Sequence, residues 1–245
     1  MEYFWTHEYD LPAGVGYAHW SAAHLLSIAV LAMAVAVCLR RAAASEGMKR
    51  RMIRILPVLL VGMELGKDLY LYRAGYLGLG YLPLHLCSMG IPVFLLAAYG
   101  GRLRAFFTEV ALILILPGSV CAILFPDWNM YPVWNFMNLY SWVWHGLLVL
   151  FPLLLILDGW KPVFKNIWKP VVFLLAVVPP IYAFDRWAGC NYLFVNWPPE
   201  GTPLKWLAGL MGVPGYLAGY ALLAAMVMAA MYGVYGSVCG RSIRG

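Results

Sequence analysis

The chain has 245 residues, of which 63% are hydrophobic and only 11% charged, and its mean hydropathy is +0.76. Soluble domains carry about 25% charged residues, so a surface facing only water is excluded and bilayer lipid is the solvent that fits. The net charge of +6 comes from basic residues in short stretches between apolar runs, which reads as membrane topology and headgroup contact rather than nucleic-acid binding.

The N-terminal stretch 1–17 carries Glu2, Glu8 and Asp10 without any Lys or Arg, whereas a signal peptide needs a basic n-region. Apolar segments follow at 19–39, 55–72, 84–100, 106–124, 139–157, 170–188 and 207–236. These runs are long and continuous rather than short and alternating, which favours helices over a porin-type barrel. The expectation is all-α: a polytopic bundle of seven transmembrane helices forming a single domain over residues 1–245. Pro179 and Pro180 interrupt the sixth segment and Pro214 the seventh, which membrane helices tolerate when neighbours satisfy the freed carbonyls.

The connections alternate in charge. Arg40, Arg41, Lys49, Arg50, Arg51 and Arg54 lie between the first two segments, Arg102 and Arg104 between the third and fourth, Lys161, Lys165 and Lys169 between the fifth and sixth, and Arg241 and Arg244 after the seventh. The other side holds only Arg73, Arg186 and Lys205, with Lys67 near a helix end. The positive-inside rule then puts the N-terminus outside and the C-terminus in the cytoplasm. The cysteines, Cys38, Cys87, Cys121, Cys190 and Cys239, show no CxxC spacing, so neither a disulfide framework nor a zinc finger is implied.

Polar side chains inside membrane helices are costly, and each asks for a reason. Here they converge on one depth. His24 lies in the first segment, Glu64, Lys67 and Asp68 at the outer end of the second, His85 and Cys87 at the start of the third, and Asn138, Ser141 and His145 at the start of the fifth. At ~1.5 Å per residue all fall within roughly 12 Å of the outer surface; only Glu109 stands apart, near the cytoplasmic end. Asn138, Ser141 and His145 share one helix face by their spacing, and so do Glu64, Lys67 and Asp68. Pro83 suits the first position of a helix, which would place Cys87 in its second turn. His85 and Cys87 would then be about 200° apart, so a base for Cys87 must come from another helix. His145 is the first choice and His24 the second. Cys plus His is the usual pair for acyl transfer through a thioester.

Each residue also has a plain reading. A cysteine in a membrane helix commonly packs, an intramembrane histidine commonly lines a cavity, Glu64 with Lys67 reads first as a buried ion pair, and Asp68 can face water. The aromatic stretch from Trp128 to Trp144 reads mostly as an interfacial belt.

The run Tyr81-Leu82-Pro83-Leu84-His85-Leu86-Cys87-Ser88, followed later by Trp144-His145-Gly146, resembles the YwaF-like integral membrane proteins of bacteria, which are similar to the eukaryotic transmembrane protein 164 family. That resemblance implies a cysteine-dependent lipid acyltransferase with Cys87 as nucleophile and His145 as catalytic histidine. A more remote likeness is to the androgen-induced membrane hydrolases of fatty-acid esters, which use Thr and His.

Three functions are weighed. The first is an acyltransferase, transacylase or lipid ester hydrolase acting on a phospholipid or lysophospholipid, with His85, Asn138, Ser141, His24, Glu64, Lys67 and Asp68 in supporting or substrate-binding roles and no cofactor or metal. The second is a small-solute or proton-coupled transporter of seven-helix type, for which a visible sequence repeat is missing. The third is a metal-dependent hydrolase using His24, His85, His145, Glu64 and Asp68, for which no HxxxH or HExxH spacing exists. The multi-pass location in the cell membrane is common to all three, and none fixes the oligomeric state.

Overall fold

The computed structural model describes residues 2–241, with side chains through residue 237. Arg244, and the side chains of Arg241 and Cys239, lie outside the described residues. Among those described there is no strand. The helices are α1 (Ala22–Ala44), α2 (Glu46–Ala74), α3 (Gly90–Tyr99), α4 (Arg104–Val110), α5 (Leu116–Leu124), α6 (Phe136–Leu157), α7 (Trp168–Ala188), α8 (Pro203–Met211) and α9 (Tyr216–Arg241). A π-helical turn, Ala111–Ile115, joins α4 to α5 without a break.

Five helical stretches are long and apolar enough to cross a membrane: Ala22–Ala44, Gly101–Leu124, Phe136–Leu157, Phe164–Ala188 and Tyr216–Ser237. The protein is therefore a multi-pass membrane protein. The other two expected spans differ from the sequence reading for physical reasons. α2 is long enough at 29 residues but carries too many charges. It starts at Glu46 rather than 55 because Ser45 caps it, its hydroxyl accepting from the Met48 N–H at 3.3 Å, so the basic residues 49–54 are helical. α3 is only 10 residues long.

Two local expectations are corrected. Pro83 does not begin a helix. Residues 86–89 form turns, closed by the Met89 N–H donating to the His85 carbonyl at 2.9 Å, and α3 begins only at Gly90. The segment 207–236 is not one helix either. It divides at Gly212–Gly215, where Gly212 is left-handed and Val213–Pro214 is cis, into α8 and α9. By contrast, Pro179 and Pro180 lie within an unbroken α7.

The core sits where α2, α3, the α4–α5 stretch and α6 meet. Leu60, Val93, Phe94, Leu112, Ile113, Leu148, Phe151 and Leu154 are fully buried there, and Phe94 stacks on Phe151 at 4.1 Å. α1, α7 and α9 present most of their apolar surface outward, as helices bathed in lipid do.

The two ends of the bundle differ. At one end the N-terminal segment is strapped across the connections that follow α2 and α5. The Asn135 side chain donates to the carbonyls of Tyr3 (2.7 Å) and Thr6 (2.9 Å). Tyr70 donates to the Trp5 carbonyl, Tyr76 to Asp10 and Tyr81 to Glu8. Gly16 lies so close to the Asn129 carbonyl that a Cβ would collide with it. This is the cap end. The opposite, basic end gathers the connections after α1, α3 and α6. There Asp158 pairs with Lys49 and Arg104, and Lys169 donates to the Ala105 carbonyl.

Candidate functional site

The expected site residues lie at the cap end, and one close helix contact sets their level. A methyl built on Gly90 at the start of α3 would lie 2.5 Å from the Leu148 side chain of α6 and 3.6 Å from Ile115. Only a glycine lets the two helices approach so closely. Both helices run from the cap end towards the basic end. Cys87 precedes Gly90 by three residues and His145 precedes Leu148 by three. Each lies about one turn capward of the same contact, in a common layer.

Cys87 lies in the turn ahead of α3 rather than in a helical second turn, so the angular separation expected between His85 and Cys87 does not apply. The residue is partly accessible, although Leu86 and Cys87 both pack on the central core. Leu86 also reaches Gly118 of α5, at 3.0 Å from a Cβ built there. The amides of Leu86, Cys87 and Ser88 donate to no backbone carbonyl. Like the free N–H groups of a helix start, they can receive negative charge.

His145 is buried and held by two contacts. Its Nδ1 donates to the Ser141 carbonyl at 2.8 Å, and its ring stacks on Trp128 with centroids 4.5 Å apart and planes 17° from parallel. An Nδ1 that donates to a carbonyl must carry the proton, so Nε2 carries the lone pair. No protein group among the described residues hydrogen-bonds to that Nε2, and no hydrogen bond joins Cys87 to His145.

The other polar residues divide into scaffold and lining. His24 is completely buried and has both nitrogens engaged. Its Nδ1 accepts from the Trp20 N–H at 2.9 Å and its Nε2 donates to the Ile123 carbonyl at 3.0 Å. Asn138 accepts from the Tyr17 hydroxyl at 2.9 Å and donates to the Val133 carbonyl at 2.8 Å, which ties it to the N-terminal segment. Ser141 contributes its carbonyl, not its hydroxyl. Lys67 donates to Glu64 at 2.7 Å and to the Tyr81 carbonyl at 3.3 Å, and lies 3.2 Å from Asp68. The second oxygen of Glu64 accepts from Tyr140 at 3.2 Å. Glu109, at the basic end, accepts from the Val163 N–H and from Tyr232. Among the described residues no three His, Cys, Asp or Glu side chains converge as a metal site.

Two hollows open beside this layer. A cavity of about 470 Å³ at the cap end is lined by His85, Asp127, Cys190, Tyr192 and Phe194 among others. The His85 ring meets Tyr192 edge-on at 4.8 Å. A groove of about 940 Å³ runs along α2 and α6, from Met63 to Arg73 on one wall and Phe136 to Val143 on the other. Sequence reasoning missed Trp128, Asp127 and Tyr140 as parts of the site. Trp128 and Tyr140 fall within what read as an interfacial belt, and Asp127 directly precedes it; their spacing gave no sign that they turn inward.

No curated protein and no solved structure matches the chain. The TMEM164 family matches over residues 15–232, a stretch that contains α1 to α8, the layer holding Cys87 and His145, and most of α9. The chain belongs to the TMEM164 family.

Proposed function

We propose that the protein is a membrane lipid acyltransferase or transacylase in which Cys87 is the nucleophile and His145 the general base. The single observation that carries the reading is the state of His145. The Ser141 carbonyl fixes its tautomer, Trp128 fixes its plane, and its lone pair stays free in the layer that Cys87 occupies. Family membership supports the same reading.

The chemistry follows from these parts. His145 Nε2 takes the Cys87 proton, and the thiolate attacks an ester carbonyl of a phospholipid. The amides ahead of α3 receive the developing oxyanion. The tetrahedral intermediate collapses, the carbon–oxygen bond breaks, and the lysolipid alkoxide leaves with the proton from His145. A second lysolipid hydroxyl then gives its proton to His145 and attacks the thioester, and Cys87 departs as the thiolate. Water in place of the second lysolipid gives hydrolysis.

In this reading residues 1–245 form one domain crossing the bilayer seven times. α2 crosses despite its charges because those in its membrane-depth part, Glu64, Lys67 and Asp68, pair with one another, and the turns ahead of α3 complete the third crossing. Basic residues crowd one end, and the positive-inside rule supports a cap end and Cys87 layer that face outside.

The test is intact-mass measurement of purified protein incubated with a diacyl phospholipid. An acyl adduct sensitive to hydroxylamine is expected on wild type and absent from Cys87→Ala. Equal lipid turnover by Cys87→Ala and wild type would overturn the reading.

A further inference from the structure

The groove between α2 and α6 has features that a surface merely wetted by lipid does not need. On α2 it extends from Met63 to Ala74, about 16 Å at 1.5 Å per residue. That matches the ~15 Å depth of one leaflet's hydrocarbon. Much of its wall is apolar, with Met63, Leu69, Leu139 and Val143. At its cap-end mouth stands Arg73, exposed and without a hydrogen bond or ion pair to any described residue. The other cation on the wall, Lys67, is already committed to Glu64, Asp68 and the Tyr81 carbonyl. The open charge is therefore at headgroup depth and the apolar wall is at chain depth.

The groove also leads inward. Tyr140 and Lys67 line it about 9 Å below Arg73, and the Tyr140 hydroxyl reaches Glu64. Tyr140 and Cys87 pack against the same central core. Gly66 lies on the floor, and nothing stands within 4 Å of where its Cβ would be. The space over α2 at that point is vacant of protein because the residue is glycine.

We propose that this groove is the binding site for a glycerophospholipid of the cap-side leaflet. The phosphate sits on Arg73, the ester linkages at the level of Tyr140, and an acyl chain over Gly66 towards Met63. This rests on the acyl-transfer reading only for what happens next, since the groove then delivers an ester sideways from the bilayer to Cys87.

Gly66→Phe and Gly66→Leu fill the groove without touching the polar layer, and both residues favour the helix over glycine. Gly62 also faces open space but does not line the groove, so Gly62→Phe is the control. The probe is a diacyl phosphatidylglycerol with a diazirine and an alkyne on one acyl chain, reconstituted with full-length protein. Wild type is expected to crosslink mainly on α2 and α6 beside Gly66. Either Gly66 variant should lower that labelling at least tenfold, with no change in Gly62→Phe. Arg73→Gln should lower it several-fold and abolish the preference for the phospholipid over the matching diazirine fatty acid.

A second readout separates this proposal from the enzymatic one. Acylation of Cys87 by the long-chain phospholipid should fall in Gly66→Phe, while acylation by water-soluble p-nitrophenyl butyrate should not. Crosslinks spread evenly over α1, α7 and α9, or groove labelling untouched by both Gly66 variants, would overturn the groove and leave the chemistry of Cys87 standing. Groove labelling that responds as expected, without acylation of wild-type Cys87 by either reagent, would keep the groove and sink the acyltransferase. Fatty acid labelling equal to phospholipid labelling in wild type would overturn the phosphate contact at Arg73.

Discussion

His24 at the head of α1 and His145 in the first half of α6 are both buried in the cap-end half of the bundle, yet the bundle treats them differently. His24 is a clasp. It takes the Trp20 N–H on one nitrogen and gives a proton to the Ile123 carbonyl with the other, so it joins the start of α1 to the end of α5 and has nothing left to offer. His145 spends one nitrogen on the Ser141 carbonyl and keeps the other. Burial and depth do not distinguish these two residues. What distinguishes them is how many of their hydrogen-bonding atoms the fold consumes.

The comparison breaks first on activity. His145→Ala is expected to lower the acylation rate of Cys87 by about 10²–10⁴-fold, the usual range for a general base. Its thermal midpoint should move little, because only one hydrogen bond and a stacking contact are lost. The check is a stopped assay of acyl-enzyme formation beside a thermal melt. His24→Ala should do the reverse. It strands the Trp20 N–H and the Ile123 carbonyl, costing about 2–6 kcal/mol at ~1–3 per unpaired group, while the protein that remains folded still acylates. A catalytic defect in folded His24→Ala equal to that of His145→Ala would erase the distinction.

The scaffold around the layer gives smaller effects. Lys67→Met leaves Glu64 buried with only Tyr140 beside it, and should destabilise by about 3–4 kcal/mol, as loss of one partner of a buried ion pair does. Adding Glu64→Gln should recover part of that in a denaturation series. Gly90→Ala forces a methyl against Leu148 and should cost about 1–3 kcal/mol as overpacking. Leu148→Ala in the same chain should relieve it, and recovery of acylation with the double substitution would tie the α3–α6 approach to the chemistry.

The smallest effect concerns the N-terminal strap and pH. Burial of His7 holds its imidazole below the ordinary 6.5, against the opposing pull of Glu8 and Asp10. The folded strap therefore disfavours the proton that the loosened strap accepts. Its stability is full above pH 6.5 and declines as the pH falls through that value. Protection of the amides of residues 3–17, measured against the intrinsic exchange rate at each pH, should fall between about pH 7 and 5.5 in wild type, and His7→Gln should flatten the change.

Much of the fold was legible because membrane helices declare themselves by length and apolarity. The boundaries were less so. Ser45 as a one-residue joint, and α2 beginning among basic residues, defeat a reading that equates charge with loop. The late start of α3 is invisible for a related reason: Leu84 to Met89 is as apolar as a helix there would be, and only the hydrogen bonding shows turns. For the site, depth was readable and direction was not. Asn138, Ser141 and His145 do share a face by spacing, but Asn138 serves Tyr17 and Ser141 works through its backbone. Trp128, which holds the His145 ring, comes from a connection whose path no periodicity describes.

The strap has a consequence for how the protein is made. Tyr3, Phe4, Thr6 and Tyr17 hydrogen-bond to Asn129, Asn135 and Phe136, so these residues wait for partners 112 to 132 residues further along the chain. Contacts of such long sequence separation form late. During synthesis the strap can meet Tyr70, Tyr76 and Tyr81 once α2 is made, but the side that faces the α5–α6 connection stays open until α5 has been inserted. Anything that recognises an unassembled copy of this protein will find that side of the aromatic N-terminal segment uncovered, and will lose it when α6 arrives.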